Sequence, residues 1–534
     1  MSLLSIENLS LKIGTYPILH DVSLTVAPGE IVAITGESGS GKSLTAFSTM
    51  GLLPSGAATE GRILLEGTDL LALSEAEMCS VRGGRIGMVF QEPMTALNPV
   101  QTIGAQVAET IRIHEDLPKS VAMARARAML NRVGLPEERF PLSRYPHELS
   151  GGQRQRVVIA MAIALRPSLL IADEPTTALD VTTQAHILDL LKDLTQDFGM
   201  GLLMITHDLA VVADMADRIV VMQRGRVVES GPTEQLFRAM QHPYTRALFE
   251  ASAHKVALPA APPPQALLEV KNVVRSYRQP RKGLFGPRPE MQAVKNVSFT
   301  LNRGERLGLV GESGCGKSTL TRAILGLEPV QSGSITLGGA PVWTHNRPNL
   351  EVRRQMQVVF QDPYGSFNPR HRVRRLIAEP FHLLKDPPRG EVRAQKIARA
   401  LTDVGLAPED ADKYIHEFSG GQRQRIAIAR ALINDPALIV FDEAVSALDV
   451  SVRAQVLDLL AELCRVRPLS YLFISHDLSV VRTITDRVMV MQAGEIVEQG
   501  PTEQVFADPQ HPYTRTLLAA APQLPDMKKT ADAS

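Results

Sequence analysis

The chain has 534 residues, of which 57 are Lys or Arg and 57 are Asp or Glu, so its formal net charge is zero. This balance argues against a dedicated nucleic-acid-binding protein, which usually carries a basic excess, and 44% hydrophobic residues exclude a wholly disordered chain. The three cysteines (Cys79, Cys315 and Cys464) are too far apart in sequence for a disulfide framework or a CxxC metal site, and they fit a reducing compartment.

No segment of the sequence resembles a secretory signal or a membrane span. Residues 1–10 lack the basic and apolar regions of a signal peptide. The longest apolar run, residues 157–165, has nine residues, whereas a bilayer crossing needs about 20. We therefore expect a chain that stays in the cytoplasm and does not itself cross a membrane.

The first 250 or so residues alternate between extended and helical patterns. Extended segments are predicted at residues 3–13, 18–26, 30–35, 62–66 and 85–90, followed by a mostly helical stretch at 101–132. Farther along we predict a strand at 169–172, a helix at 183–194, a strand at 201–206 and a hairpin at 223–226. The short apolar runs are typical of strands buried on both faces of a parallel sheet. Strands that alternate with helices predict an α/β fold.

The second part of the chain repeats the first. Residues 150–156 recur at 419–425, and residues 231–235 recur at 500–504, both at an offset of 269 residues. The sequence His-Pro-Tyr-Thr-Arg at 242–246 returns at 511–515. Two copies of this length indicate a duplicated domain, because solenoid repeats are only about 20–50 residues long.

The composition between and after the copies predicts the domain limits. We predict a first domain at residues 1–253, a Pro/Ala-rich linker at 254–266, a second domain at 267–521 and a disordered tail at 522–534. The second copy also carries an inserted basic segment at residues 278–290. This segment is either a solvated loop or a basic surface that faces anionic headgroups or a partner.

Each copy contains the phosphate-loop pattern G-x-x-x-x-G-K-[ST] between a short apolar strand and a helix. The first loop consists of Gly36, Glu37, Ser38, Gly39, Ser40, Gly41, Lys42 and Ser43. The second consists of Gly311, Glu312, Ser313, Gly314, Cys315, Gly316, Lys317 and Ser318. Such glycines let backbone N–H groups surround phosphates, the lysines can reach the β- and γ-phosphates, and the final serines can ligate Mg²⁺. The sequence therefore predicts two ATP sites.

An apolar strand in each copy ends in two acidic residues, Asp173-Glu174 and Asp442-Glu443. A buried parallel strand places such residues at the carboxyl edge of the sheet, beside the phosphate loop. We predict that Asp173 and Asp442 hold Mg²⁺, directly or through water. Glu174 and Glu443 would orient or deprotonate the attacking water. The alternative is an ordinary strand end followed by acidic loop residues.

A third pattern, Ser-Gly-Gly-Gln, precedes an apolar helix in each copy. It consists of Ser150, Gly151, Gly152 and Gln153 in the first copy and of Ser419, Gly420, Gly421 and Gln422 in the second. Ser and two glycines at a helix N-terminus form a second anion-binding arrangement. With the other two patterns, these residues resemble the tandem nucleotide-binding proteins of ATP-binding-cassette (ABC) transporters over residues 1 to about 520. The resemblance implies two ABC ATPase domains, each with a mixed, mainly parallel sheet, an antiparallel β subdomain and an α-helical subdomain.

The resemblance also implies roles for two further pairs of polar residues. Gln91 and Gln361 match the glutamine that contacts Mg²⁺ and the attacking water. His207 and His476 match the histidine that contacts the γ-phosphate. Both pairs therefore complete the two expected sites of hydrolysis.

Two more pairs would contact the nucleotide or the facing domain. Asp180 and Asp449 match a loop that crosses the interface between the halves. Tyr16 and Tyr277 could stack on adenine, with packing in the β subdomain as the equal alternative for Tyr16. Each ATP would lie between the phosphate loop of one half and the Ser-Gly-Gly-Gln of the other. This arrangement requires the two halves of the chain to pair head to tail.

The sequence His-Pro-Tyr-Thr-Arg after the last strand of each half resembles the C-terminal element of dipeptide/oligopeptide importer ATPases. It implies an ATPase, working with ATP and Mg²⁺, that powers import of peptides of the oligopeptide, dipeptide or microcin C type. Its partners would be two separate integral-membrane permeases and a periplasmic peptide-binding protein, with no nucleic acid, and it would lie peripherally on the cytoplasmic face of the inner membrane. Alternatives are an exporter ATPase and a soluble ABC ATPase of translation or DNA repair. The short proline-rich linker argues against a translation factor, and the lack of zinc-type cysteines against a repair protein.

Overall fold

The computed structural model describes residues 2–177, 179–278, 288–345, 347–362, 365–446 and 448–524. Most of the predicted basic segment, residues 279–287, and most of the predicted tail, residues 525–534, lie outside these ranges. We refer to residues 2–253 as the first half and to residues 267–524 as the second half. Within the described ranges, no helix combines the length and apolar character that a membrane crossing requires.

The first half is an α/β domain with two sheets. Its strands are β1 (Leu4–Ile13), β2 (Tyr16–Val26), β3 (Ile31–Thr35), β4 (Ala57–Leu65), β5 (Thr68–Asp69), β6 (Ile86–Val89), β7 (Leu169–Asp173), β8 (Gly201–Ile205), β9 (Arg218–Gln223) and β10 (Arg226–Pro232). Its α-helices are α1 (Lys42–Met50), α2 (Glu75–Val81), α3 (Pro93–Ala96), α4 (Ile103–His114), α5 (Lys119–Arg132), α6 (Gly151–Ala162), α7 (Val181–Phe198), α8 (Leu209–Met215), α9 (Thr233–Arg238) and α10 (Pro243–Ser252). Short 3-10 helices lie at Leu70–Ala72 and Pro146–Glu148.

The second half repeats this order with one additional hairpin. Its strands are β11 (Ala266–Arg278), β12 (Glu290–Asn302), β13 (Arg306–Val310), β14 (Ser332–Leu337), β15 (Ala340–Pro341), β16 (Trp343–Thr344), β17 (Arg347–Pro348), β18 (Met356–Phe360), β19 (Leu438–Asp442), β20 (Tyr471–Ile474), β21 (Arg487–Gln492) and β22 (Glu495–Pro501). Its α-helices are α11 (Lys317–Ile324), α12 (Leu350–Arg353), α13 (Val373–Ile377), α14 (Gly390–Asp403), α15 (Gly420–Leu432), α16 (Val450–Val466), α17 (Leu478–Ile484), α18 (Thr502–Ala507) and α19 (Pro512–Ala519). Three 3-10 helices lie at Glu379–Leu383, Pro408–Asp412 and Ile415–Glu417.

Each half combines an antiparallel sheet with a larger, mainly parallel one. The strand orders in the first half are β2-β1-β4-β5 and β10-β9-β3-β8-β7-β6. In the second half they are β12-β11-β14-β15 and β18-β19-β20-β13-β21-β22. In each large sheet the two strands at one edge, β9 with β10 and β21 with β22, pair antiparallel. The other described strands of these sheets pair parallel. The predicted α/β architecture, with parallel strands buried on both faces, is confirmed.

Alternating side chains of the central strands fill two separate cores. In β7, Leu170 and Ala172 pack with the helices of the first half, whereas Leu169 and Ile171 face the antiparallel sheet. The two-residue period of a strand places successive side chains on opposite faces, so an uninterrupted apolar run can fill both layers. Because the large sheet is packed on both faces, the ends of its strands are held in place. The polar loops begin at these strand ends.

Several predicted elements differ in extent from the observed ones. The strand predicted at 62–66 is the end of the longer β4, and the helical stretch at 101–132 divides into α4 and α5. The break at residues 115–118 follows from Pro118, which precedes α5 and restricts the backbone of the residue before it. In the predicted tail, Leu524 packs against the helical core of the first half.

The linker contains no helix or strand between α10 and β11 and lies against the second half. His254 Nε2 is 2.8 Å from Asp458 Oδ1 in α16. Arg465 and Arg306 of the second half donate to the linker carbonyl oxygens of Ala257 and Pro259 at 2.9 and 2.6 Å. The linker is therefore fixed to one half rather than spanning open solvent.

Candidate functional site

The predicted site residues of the first half lie at the carboxyl ends of neighbouring parallel strands. β3 pairs with β8, β8 with β7, and β7 with β6. The phosphate loop follows β3, His207 follows β8, Asp173 ends β7 and Gln91 follows β6. Because carboxyl ends of parallel strands meet at one edge, four segments that are distant in sequence form one site. The second half repeats this arrangement.

The lysine of each phosphate loop is buried inside the curve of its own loop. Lys42 Nζ donates to the carbonyl oxygens of Gly36 and Glu37, both at 2.8 Å. Lys317 Nζ makes the matching bonds to residues 311 and 312 at 2.6 and 2.8 Å. Burial lowers the pKa of Lys42, while the carboxylate of Glu174 acts in the opposite sense. Each loop thus already has a concave shape with a cation inside, as phosphate binding requires.

The residues predicted to hold Mg²⁺ have the right donor atoms. Ser43 Oγ donates to Asp173 Oδ1 at 3.2 Å, and hydroxyl and carboxylate oxygens are ligands that Mg²⁺ prefers. Burial raises the pKa of Asp173 to about 6, against the opposing hydrogen bond from Ser43. Burial also raises the pKa of Asp442, and the charge of Glu443 adds to the shift. Buried carboxylates with raised pKa values are groups that a cation would stabilise, so the site fits Mg²⁺.

The described ranges contain no group of three or more His, Cys, Asp or Glu side chains that could hold a metal ion. Mg²⁺ commonly binds through one or two carboxylates together with substrate phosphates and water.

Glu174 of the first half accepts hydrogen bonds from three side chains. The donors are Gln91 Nε2 at 2.8 Å, Thr177 Oγ1 at 2.8 Å and His207 Nδ1 at 3.0 Å. Burial alone would raise the pKa of Glu174, but the hydrogen bond and charge of His207, aided by Thr177 and Lys42, lower it to about 2. The pKa of His207 is raised in turn, because Glu174 outweighs the effect of burial. Each of the two groups therefore favours the charged form of the other.

Glu443 of the second half is held less closely. His476 Nδ1 lies 3.5 Å from Glu443 Oε1, and this contact lowers the pKa of Glu443 while burial opposes it. Ser446 Oγ, which takes the place of Thr177, donates to the backbone oxygen of Glu443 at 2.9 Å. Among the described residues no hydrogen bond joins Gln361 to Glu443. The two sites therefore have equivalent glutamate, histidine and glutamine residues, but the distances and hydrogen bonds between these residues differ.

Both glutamates adopt a backbone conformation that non-glycine residues rarely adopt. Glu174 has φ 48° and Glu443 has φ 52°. Their N–H groups donate to the carbonyl oxygens of Ile205 and Ile474, both at 2.9 Å, so the left-handed turn is tied to the adjacent strand. Strain of this kind costs about 1–3 kcal/mol per residue and is concentrated at functional sites.

The Ser-Gly-Gly-Gln sequences form capping boxes at the starts of α6 and α15. The Ser150 N–H donates to Gln153 Oε1 at 3.0 Å, and the Gln153 N–H donates to Ser150 Oγ at 3.4 Å. Ser419 and Gln422 make the same two bonds at the same distances. The glycines leave the helix start free of side chains, as an anion site requires.

Each phosphate loop is bonded to the opposite half. The Ser38 N–H donates to Asp449 Oδ1 at 2.8 Å, and the Ser313 N–H donates to Asp180 Oδ2 at 3.4 Å. Val181, which follows Asp180, is buried in the core of the second half. Val450, which follows Asp449, is buried in the core of the first half. The halves therefore pair head to tail through reciprocal contacts.

The two tyrosines predicted to stack on adenine differ in accessibility. Tyr16 is 75% exposed at the start of β2. Tyr277 is half-buried, and the Arg275 guanidinium lies 4.7 Å from the centre of its ring. Tyr16 thus offers an open ring, whereas one face of Tyr277 is already covered.

Some residues at the site carry no role in the sequence prediction. Thr177 contacts Glu174, and Thr182 and Ser451 donate to the phosphate-loop glutamates of the opposite half. Tyr244 and Tyr513 accept hydrogen bonds from the same loops. The repeated His-Pro-Tyr-Thr-Arg was the signal that could have identified the tyrosines, but it contains no information about their partner atoms.

The contact between His207 and Glu174 predicts a measurable titration. We expect His207 of the nucleotide-free chain to titrate above the ordinary value of 6.5. The pair's contribution to stability is then complete between about pH 4.5 and 6.5. It is lost as the pH rises through the raised pKa of His207, and also as the pH falls through the lowered pKa of Glu174. Glu174→Gln should bring the pKa of His207 below 6.5, because burial then acts without the opposing carboxylate. NMR of the ring-labelled histidines, with His207→Gln for assignment, measures both values.

The second half supplies the control for this titration. Glu443→Gln should leave the pKa of His207 unchanged and lower that of His476, whose pKa is raised by Glu443. An unchanged His207 titration in Glu174→Gln would contradict the pairing.

Comparison with sequence families gives two matches, each covering both halves. The family described as "ABC transporter" matches residues 19–177 and 294–446. The family described as "Oligopeptide/dipeptide transporter, C-terminal region" matches residues 228–279 and 497–533. The second match includes both His-Pro-Tyr-Thr-Arg sequences.

The chain is also similar to proteins of comparable length and to solved structures that match less than half of it. The glutathione import ATP-binding protein GsiA of Salmonella typhimurium is 49% identical over 94% of this chain and 86% of its own length. GsiA of Escherichia coli is 48% identical over 98% and 90%. CbiO1 of Clostridium perfringens, part of the ABC transporter complex cbiONQ, is 30% identical with a TM-score of 0.40, covering 44% of this chain and 90% of that one. A dimeric bacterial ABC transporter cassette, MJ0796, is 26% identical with a TM-score of 0.38, covering 44% and 99%.

Proposed function

Since this chain belongs to the ABC transporter family, as a tandem ATP-binding protein of the oligopeptide/dipeptide importer type, we propose that its two halves enclose two molecules of ATP and use their hydrolysis to import short peptides. The observation that supports this most directly is the duplicated polar edge of the large sheets, where each phosphate loop meets the opposite half. The chain is an ATPase subunit of an importer.

In the proposed mechanism, one ATP binds at the phosphate loop of the first half and at Ser419–Gln422 of the second. The other binds at the second phosphate loop and at Ser150–Gln153. The segment after Asp449 supports this pairing: Ser451 contacts Glu37, and the side chain of Val452 lies against Gly421. The Ser-Gly-Gly-Gln sequence of the second half therefore lies beside the segment after Asp449, and this segment contacts the phosphate loop of the first half.

Glu174 and Glu443 would orient the attacking water in each site. A carboxylate with a pKa near 2 is a poor proton acceptor at neutral pH, and Glu174 has this pKa while it is bonded to His207, Gln91 and Thr177. A γ-phosphate would compete for the His207 and Gln91 side chains. Nucleotide binding would thereby free the glutamate for water, and Mg²⁺ held by Ser43 and Asp173 would offset the charge on the phosphates.

The cargo we propose is a short peptide, with glutathione as the first candidate because the similar proteins are glutathione import ATP-binding proteins. The chain would act peripherally at the inner face of the membrane with two permeases and a periplasmic peptide-binding protein. Selectivity for the peptide would lie in those partners, since this chain need not touch it. An exporter or a soluble translation or repair role is not favoured by the importer-type C-terminal regions.

Affinity purification of the tagged chain from gently solubilised membranes tests the proposal. We expect two different polytopic membrane proteins in stoichiometric amounts, identified by mass spectrometry. Recovery of ribosomal proteins or nucleic acid instead, with the chain in the soluble fraction, would contradict import and leave only the ATPase activity.

The surfaces on which the permeases would dock differ in charge between the halves. Before α13 and in its first turn the second half carries Arg370, Arg372, Arg374 and Arg375, all exposed. In the first half the equivalent positions are occupied by Val100, Thr102, Gly104 and Ala105. The side chain of Val100 is 79% exposed. Arg372 and Arg374 form ion pairs with Asp412 of the same half at 3.6 and 2.7 Å. Among the described residues no ion pair involves Arg370 or Arg375, so these two charges are the ones that a partner could meet. We propose that the second half binds an acidic permease segment and the first half an apolar one.

Charge reversal tests this difference. Arg370→Glu with Arg375→Glu should reduce recovery of one of the two permeases by at least about tenfold, because like charges across an interface cost several kcal/mol. Lys396→Glu, on the exposed side of α14, is the matched control and should retain both. Equal recovery from both variants would contradict an electrostatic contact at α13. Binding of the wild type to phosphatidylglycerol vesicles that is lost in the double variant would assign the arginines to lipid instead.

A further inference from the structure

The two His-Pro-Tyr-Thr-Arg sequences place a tyrosine in the first turn of a helix after the last strand of each half. His242 caps α10 by accepting from the Tyr244 N–H at 3.2 Å, and the proline occupies the first turn, as proline favours. Glu229 anchors the segment by accepting from the His242 N–H at 3.1 Å. Tyr513 is placed in the same way, with its N–H donating to His511. Each motif therefore fixes the direction in which its tyrosine leaves the helix.

Each tyrosine reaches the phosphate loop of its own half. Tyr244 Oη accepts from the backbone N–H of Glu37 at 3.0 Å, although the two residues are 207 positions apart. Tyr513 Oη accepts from the N–H of Glu312 at 3.1 Å across 201 positions. The same contact thus occurs twice, at the second residue of each loop.

The glutamates bonded to the tyrosines also reach the opposite half. Glu37 Oε1 accepts from Ser451 Oγ of α16 at 2.6 Å. Glu312 Oε1 accepts from Thr182 Oγ1 of α7 at 2.7 Å. The helices that carry the tyrosines also contact the opposite half: α10 packs against α16, and α19 packs against α7. One residue of each loop therefore joins the C-terminal helix of its own half to the facing half.

We propose that Tyr244 and Tyr513 are positioning residues of the ATP sites, each holding the start of a phosphate loop in the conformation in which the loop's glutamate bonds to the opposite half. Neither hydroxyl is assigned to contact ATP. Each acts through the backbone of the loop, so the C-terminal element is part of the nucleotide site as well as a structural extension.

The environment of the tyrosines keeps the hydroxyl in the form that this role needs. Burial raises the pKa of Tyr244 to about 12, and the nearby carboxylates of Glu37 and Asp449 add to the shift. Tyr513 is only 8% exposed, and burial raises its pKa as well. The hydroxyl groups therefore remain neutral at physiological pH. A Tyr→Phe change removes the acceptor while retaining the ring, which makes it a specific test.

Steady-state kinetics of Tyr244→Phe and Tyr513→Phe provide that test. We expect each change to raise the ATP concentration for half-maximal hydrolysis about three- to tenfold, the effect of one neutral hydrogen bond, and to alter kcat less than twofold. Thr516→Val is the matched control, because its hydroxyl lies on α19 and, within the described ranges, bonds to Pro512 of the same helix rather than to a phosphate loop. A lower melting temperature without a change in KM would assign the tyrosines to structure alone and overturn the proposal.

Pairs of variants separate positioning from general weakening. Tyr244 and Ser451 act on the same glutamate, so Tyr244→Phe with Ser451→Ala should raise KM by less than the product of the single effects. Tyr244 and Thr182 act on different loops, so Tyr244→Phe with Thr182→Val should give the product. Equal behaviour of the two pairs would contradict the proposal.

The inference rests on the proposed assignment of the two loops as ATP sites, and Lys42→Ala tests that assignment separately. Equilibrium binding of a fluorescent ATP analogue should be lost at the first site in Lys42→Ala. Undiminished binding to Lys42→Ala would refute the site, whatever the tyrosine variants do. Normal loss in Lys42→Ala with an unchanged KM in Tyr244→Phe would refute only the positioning role.

Discussion

Glu174→Gln and Glu443→Gln should each reduce ATP turnover by about 10²–10⁴-fold while leaving ATP binding intact. Glutamine keeps the size of the side chain and part of its hydrogen bonding, but it lacks the charge that orients water and accepts its proton. The left-handed backbone at both positions directs the carboxylate away from the path of the preceding strand, so the adjacent aspartate points elsewhere and is not an equivalent substitute. Each single change should remove most turnover, because both sites contribute to one closed assembly of the two halves.

Two measurements decide this expectation. Phosphate release under saturating ATP gives kcat, and binding of a fluorescent ATP analogue shows whether the sites still fill. Glu137→Gln, an exposed residue of the first half, is the control and should have wild-type activity. If either site variant retained near wild-type turnover, two equally required sites would be disproved.

Gly36→Ala and Gly311→Ala should lower ATP affinity at the altered site by roughly a hundredfold or more. A Cβ atom on Gly36 would lie 2.2 Å from the backbone oxygen of Met222, and one on Gly311 would lie 2.2 Å from that of Met491. Both glycines also have φ near 150°, which costs an L residue about 1–3 kcal/mol. Because the obstacle is a backbone atom in the large sheet, the loop itself must move and its N–H groups would no longer converge on phosphate.

The control for the loop glycines is Gly231→Ala, where a Cβ would meet no atom within 4 Å. This variant should bind ATP as the wild type does. Affinities are measured by titration with a fluorescent ATP analogue, and the melting temperature shows whether the half remains folded. Wild-type affinity in Gly36→Ala would show that the loop does not use its observed conformation to bind nucleotide.

The sequence predicts those parts of each site that follow a single strand. Lys42 and Asp173 both lie at the carboxyl edge of the large sheet. This position is predictable because each residue follows or ends a buried parallel strand. The pairing of Ser150 with Gln153 is likewise local, since the capping box depends on a spacing of three residues.

The unpredicted parts depend on contacts between distant segments. Ser451 and Glu37 are 414 positions apart, and nothing in either neighbourhood specifies the partner. The arginine that covers one face of Tyr277 is only two residues away, yet its direction depends on Glu328, to which it is bonded at 3.1 Å. Local patterns determine which residues are available, whereas tertiary packing determines which of them meet.

The linker fixed along the second half has a consequence for kinetics. Because the halves are covalently joined, their association is intramolecular, with an effective concentration on the order of millimolar for a short tether. Any closure of the two halves on each other is then a first-order process that does not depend on dilution of the protein. Bonds from Arg306 and Arg465 to the linker backbone also keep the attached end of the first half beside α16. The linker therefore holds the two halves near each other even when their facing surfaces are apart.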